Sequence, residues 1–236
     1  VEAPPPGALA LLKGAQGRTL GEREAKALLA CYGVPVVEER AAATEEEAVE
    51  AAEALGYPVV LKVDSPDLLH KSEAGGVRLG LRSAGDVRRA FGEVTEGVRR
   101  VHPGARVRGA LVQRQVEGAV EVLVGVTQDP LFGPVLAFGT GGVLAEALQD
   151  VALRLCPLSE ADAREVVREV RGARLLEGFR GRPPADGEAL VDALVRVGRM
   201  AAGLRDVVAE VDVNPLLVLP CGQGVCAVDA LVVLKA

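Results

Sequence analysis

The sequence predicts an α/β (α+β) fold. The evidence is helix-capping boxes that recur ahead of amphipathic runs, short β-branched runs between them, and polar–apolar alternation towards the C-terminus. Thr19-x-x-Glu22 opens a helix with Ala25, Leu28, Leu29 and Tyr32 on one face, stopped by Gly33 and Pro35. Thr44-x-x-Glu47 opens a second, with Ala48, Ala51, Ala52 and Leu55 inward, stopped by Gly56 and Pro58. Val34–Val37 and Tyr57–Val63 read as buried strands, and Val77, Leu79 and Leu81 alternate with polar or small residues as a half-exposed one. A third helix starts near Ser83. Strands are expected near Val107–Gln115, Ala119–Val126 and the run VLAF, with a glycine-rich turn (GTGG) after the last. Helices at about Glu160–Val170 and Asp186–Leu204 follow, and strands near Val207–Leu219 and Val225–Leu234 close the chain.

At 236 residues the chain suits one two-lobed domain or two small ones. Residues 1–18 are rich in Pro, Gly and Ala and read as a leader or linker. The absence of an initiator Met fits a processed chain, an alternative start codon or a fragment of something longer. A net charge of -6, four Phe, two Tyr and no Trp argue against a nucleic-acid surface. No apolar run reaches the roughly 18–20 residues of a membrane span, and no export signal opens the chain, so a cytoplasmic protein with no membrane partner is expected. Cys31, Cys156, Cys221 and Cys226 have no zinc-ligand spacing and read as reduced, mostly buried thiols.

Neither GxxxxGK[ST] nor a complete dinucleotide fingerprint is present, so any nucleotide is held by another architecture. Lys62 interrupts the apolar run Val59–Val63, where a cation needs a partner or a ligand anion; a lysine snorkelling from the strand end is the alternative. Gly75-Gly76 can bring backbone N–H groups close to a phosphate, or form a plain hairpin turn. His70 beside Lys71 suits a phosphoryl acceptor, or a solvated loop histidine, while His102 reads as a surface turn. Glu210, Asp212 and Asn214 alternate with Val211 and Val213 and so share one strand face. Asp229 breaks the next strand, and Asn214 with Asp229 suits Mg²⁺; an Asn-Pro turn and a satisfied buried carboxylate are the alternatives.

In this order the motifs resemble the ATP-grasp subunit or C-terminal ATP-grasp domain of ADP-forming acetyl/acyl-CoA synthetases, in the succinyl-CoA synthetase superfamily. The resemblance runs from about Gly17 to the end through GRTLGEREAKALLACYGVPV, LGYPVVLKVDSPDLLHKSEAGGV, LVQRQVEGAVEVLVGVTQDPLFGP, FGTGGVLAEALQD and EVDVNPLLV followed by VDA. It implies two α/β subdomains clasping nucleotide, at 19–110 and 111–236. It implies ATP/ADP and Mg²⁺ as cofactors, with Lys62 on the α/β-phosphates and Gly75 and Gly76 over the triphosphate. Val112, Gln113 and Gln115 would belong to the adenine hinge and Glu121 would reach the ribose. Asn214 and Asp229 would hold Mg²⁺, Asp212 would be a nearby catalytic carboxylate, and His70 a transiently phosphorylated residue. Gly141, Gly142 and Glu146 would meet a phosphohistidine loop of a CoA-binding α subunit or domain. That partner would be a separate chain in a hetero-oligomer or part of a fused protein. The implied reaction is acyl-CoA + ADP + phosphate ⇌ acid + CoA + ATP. The rivals are another ATP-grasp carboxylate ligase, which would not need His70, and a nucleotide-sensing module of a fused acetyltransferase.

Overall fold

The computed structural model describes residues 3–15, 19–68, 71, 74–141, 150–178 and 181–235. They form two units, one made of 1–36 with 118–236 and the other of 37–117. The sequence reading placed its cuts at 18/19 and 110/111. The difference arises because β1 (Thr19–Leu20) pairs antiparallel with β11 (Ala230–Leu234), which ties the first segment to the last. The second unit is therefore an insertion.

In the larger unit α1 (Pro6–Gly14) occupies part of the segment read as leader. Ala8 is fully buried, and Pro6 at the first helical turn needs no N–H partner. Helix α2 (Glu22–Cys31) is capped two residues later than expected, because Thr19 is taken into β1. Gly21 is the cap, and its N–H donates to Glu24 Oε2 at 2.9 Å. The expected strand at Val34–Val37 is a single bridge from Val36 to Ala227.

The inserted unit holds β2 (Glu39–Ala42), α3 (Glu45–Leu55), β3 (Val59–Asp64), β4 (Val77–Leu81), α4 (Ala84–Val101) and β5 (Gly109–Arg114). Thr44 and Ser83 cap the two helices by accepting from Glu47 N and Asp86 N. Its sheet runs β2-β5-β3-β4, all antiparallel. Val59, Leu61, Ala110 and Val112 pack on Ala48, Ala52, Val87, Ala90 and Val94 from the helices.

The chain then returns to the larger unit through β6 (Val120–Asp129), β7 (Gly133–Thr140), β8 (Val151–Leu155), α5 (Glu160–Glu169), a 3₁₀ turn (Arg171–Leu175), α6 (Gly187–Gly203), β9 (Val208–Val218) and β10 (Val225–Ala227). The sheet path is β1-β11-β9-β6-β7-β8, with β10 also on β9. Its core side packs Val122, Val124, Val126, Val211, Val213 and Val232 with residues of α2, α5 and α6. All four cysteines are free; three are half-buried and Cys221 is exposed, so they are less buried than expected. Among the described residues no helix is long and apolar enough to cross a membrane.

Candidate functional site

In β9 Val211 and Val213 are buried on the core side, so Glu210, Asp212 and Asn214 take the opposite face as expected. Asn214 lies in an eleven-residue strand, not in the turn offered as its alternative. Ala230 of β11 pairs with Val213, which sets Asp229 across from Asn214, and Asn214 N–H donates to the Asp229 carbonyl at 3.3 Å. Asp212 is flanked by Leu231 on β11 and Gly125 on β6. Val122 and Val124 face the core, which leaves Glu121 on the polar side. Glu121 lies four residues from Gly125, about 13 Å along the strand. The sheet thus brings Asp212, Asn214 and Asp229 together and sets Glu121 apart from them.

Gly141 follows β7 and donates its N–H to the Glu121 carbonyl at 2.9 Å. A Cβ there would come within 2.8 Å of the Glu121 carbonyl carbon, so only glycine fits against this strand. Gly142 and Glu146 lie outside the described residues, as does His70.

The inserted unit supplies the remaining residues. Lys62 is 5 % exposed on β3, between Leu111 of β5 and Val77 of β4, on the sheet face away from α3 and α4. It is a buried lysine, not a snorkelling one. On the same face Gln113 Nε2 donates to Glu39 Oε2 at 2.7 Å. Gly76 sits one rung from Lys62, and its carbonyl accepts from Val63 N–H at 2.8 Å. Its own N–H donates to the Lys71 carbonyl at 2.8 Å, so that donor is engaged within the loop. A Cβ on Gly76 would approach Val63 Cγ1. Gly75 adopts φ +69°.

Val112 and Gln113 pair with both neighbours of β5, while Arg114 N–H and Gln115 N–H donate to the carbonyls of Glu38 and Pro58. The Gln115 side chain accepts from Gly80 N–H at 2.6 Å, where β4 bulges. Near the loop's start Asp67 receives Arg106 through its backbone N–H, Nε and Nη2 at 2.7–3.0 Å. These bonds hold the Asp67 carboxyl down at about 2.

Among the described residues no three His, Cys, Asp or Glu side chains gather to hold a metal. An amide on β9 and a carboxylate opposite it, in the break between β10 and β11, still fit Mg²⁺, which takes few protein ligands and keeps waters and phosphate oxygens. Sequence reasoning missed a buried pair on α2. Lys26 is 2 % exposed, with Nζ 2.9 Å from Glu22 Oε1 and 3.3 Å from the Val228 carbonyl. Glu-x-x-x-Lys was its only sequence signal, and on most helices that spacing marks a solvated pair.

An acid-and-amide strand face in one unit, and a buried lysine beside a glycine turn in the other, belong to a two-unit α/β protein without a P-loop. The chain belongs to the ATP-grasp family, whose ATP-grasp domain model matches residues 12–234. It is 43 % identical over 222 residues to the β subunit of the ADP-forming acetate–CoA ligase II of Pyrococcus furiosus, covering 94 % of each chain. It is also 44 % identical over 209 residues to an ADP-forming acetate–CoA ligase I of Archaeoglobus fulgidus, covering 89 % of this chain and 30 % of that longer one. Among solved structures it is similar to the acetyl-coenzyme A synthetase 1 of Ca. Korarchaeum cryptofilum in complex with coenzyme A and Ca-AMPCP. The identity there is 44 % and the TM-score 0.90, over 96 % of this chain and 98 % of that one. The same synthetase with coenzyme A and Mg-AMPPCP, its phosphohistidine segment pointing towards the nucleotide site, gives 41 % identity and a TM-score of 0.81. That match covers 97 % of this chain and 98 % of that one.

Proposed function

We propose that this chain is the nucleotide-handling part of an ADP-forming acid–CoA ligase and works with a CoA-binding partner subunit or domain. The observation that carries the reading is Asn214 set opposite Asp229, with Asp212 on the same polar face. Asn214 Oδ1 and the Asp229 carboxylate would hold Mg²⁺. The ion, when bound, supplies charge neutralisation at the nucleotide phosphates. Lys62 adds a cation on a buried strand, and Glu121 is the ribose-side polar group. Gly75 would lie over the triphosphate, with Gly76 shaping the turn through its bond to Lys71. Since the N–H groups of Arg114 and Gln115 are engaged, base reading falls to the carbonyls of that stretch and to the backbone beyond Gln115.

The chemistry is phosphoryl transfer. A histidine nitrogen attacks the γ-phosphorus of ATP, the bond from that phosphorus to the bridging oxygen breaks, and ADP leaves with the electron pair. The reverse step makes ATP from phosphohistidine. Such a reaction needs positioning and charge neutralisation more than covalent machinery. His70 is the relay histidine of this chain, Asp212 a catalytic carboxylate near the Mg²⁺ pair, and Gly141 to Glu146 the segment that receives the partner's phosphohistidine.

The test is ATP turnover by the complex of this chain with its partner, alongside ATP binding by the chain alone. His70→Asn is expected to bind ATP normally and to slow or abolish phosphoryl relay. Unchanged turnover removes His70 from the relay. ATP binding with no labelled histidine on either subunit favours a nucleotide-sensing module.

A further inference from the structure

Strands β10 and β11 both run along β9 in a single register: Val225 pairs with Val218 and Ala227 with Leu216, and further on Ala230 pairs with Val213. They are one strand broken at Val228–Asp229, opposite Pro215 and Asn214. The break has a chemical origin. Val228 N–H donates to the Pro215 carbonyl at 3.1 Å, but proline has no N–H with which to return the bond. The ladder donor that the Val228 carbonyl would receive is missing at the residue preceding Asp229.

Lys26 supplies a donor to that carbonyl. Its Nζ reaches the Val228 oxygen at 3.3 Å from α2, which packs on β11, and Glu22 one turn back holds the ammonium at 2.9 Å. Both side chains are almost completely buried. A buried cation is costly unless matched, so a chain that keeps one here, where an apolar residue would pack, does so for its position. The adjoining backbone is fixed as well, through Ala227 N–H to the Pro35 carbonyl and Asn214 N–H to the Asp229 carbonyl.

We infer that Lys26, anchored by Glu22, is a positioning residue that replaces the ladder bond removed by Pro215 and so fixes Asp229 across from Asn214 for a divalent cation. This rests on the reading of Asn214 and Asp229 as the Mg²⁺ pair. Lys26 touches neither nucleotide nor metal in this account; it acts through the Val228 carbonyl.

The experiment is calorimetric titration of the full chain with ATP over a series of fixed Mg²⁺ concentrations, well below the melting temperature, to give the Mg²⁺ concentration for half-maximal affinity. The variants are Lys26→Met with Glu22→Gln, which removes the pair without stranding a charge, then Lys26→Arg and Asp229→Asn. The double variant is expected to raise the half-point roughly tenfold or more, the range for residues that orient metal ligands. Lys26→Arg, which keeps a cationic donor, should shift it less. A general loss of stability lowers the melting temperature but leaves the half-point alone. Should the double variant not fold, Lys26→Met alone, folded and with an unchanged half-point, overturns the proposal. A shift for Asp229→Asn with none for the folded Lys26 variants also overturns it while leaving the metal pair standing. No shift for Asp229→Asn removes the metal pair and the proposal together.

Discussion

At the scale of the residue, Asp67 and Arg106 show how the chain just after β3 is tied down by charge-assisted hydrogen bonds. Arg106 gives one backbone and two side-chain donors to a single carboxylate, and these hold the Asp67 carboxyl at about 2, against 3.8 unperturbed. The folded value lies below the unfolded one, so the pair's contribution to stability is complete above pH 3.8. It is lost as the pH falls from there through about 2. Arg106→Ala should return the Asp67 carboxyl towards 3.8, measured by carboxyl-carbon NMR titration; a midpoint left near 2 contradicts the assignment. Single residues also mark what the sequence could and could not disclose. Lys62 was legible as a buried cation because four apolar neighbours surround it in a short run. Lys26 was not, because an i, i+4 glutamate makes a lysine look solvated; only the proline on β9, far away in sequence, gives it a task.

At the scale of the element, the polar face of β9 was readable because strand alternation is a rigid rule. Val211 and Val213 face the core, and everything between them must face the other way. Strand β8 was unreadable for the same reason, since its outward residues Val151, Leu153 and Leu155 are apolar and half exposed. Strand β2, with the sequence ERAA, offers no β-branched residue to signal it. Helix α6 carries the clearest element-scale prediction. Its cap, Asp186, accepts from Ala189 N–H at 3.2 Å and from Gly222 N–H and Gly224 N–H at 2.9 Å, joining the helix start to the β9–β10 turn. Those backbone donors, Gly224 first, hold its carboxyl below the ordinary range. Asp186→Ala should lower stability by about 1–2 kcal/mol, the upper range for a lost cap, read from urea unfolding. A loss near zero would mean that water replaces all three bonds.

At the scale of the whole molecule, the two-unit plan was only partly legible. The α/β class follows from local pattern and the division into two parts from length and the family resemblance, but the insertion follows from neither. It depends on Thr19–Leu20 pairing with Val232–Val233, and no local window contains both. Each unit builds its own core, and each contributes residues to the proposed nucleotide chemistry: Lys62 with the Gly75-Gly76 turn from one, Glu121, Asp212, Asn214 and Asp229 from the other. Calorimetric titration of the intact chain with ATP, with and without Mg²⁺, tests this account most directly, with Asn214→Ala and Asp229→Ala beside the natural sequence. The account predicts Mg²⁺-dependent binding that both substitutions weaken or abolish, and a melting temperature raised by about 5–11 °C at a hundredfold excess over Kd. Binding indifferent to Mg²⁺ and unchanged in both variants, with only their stability altered, would contradict it.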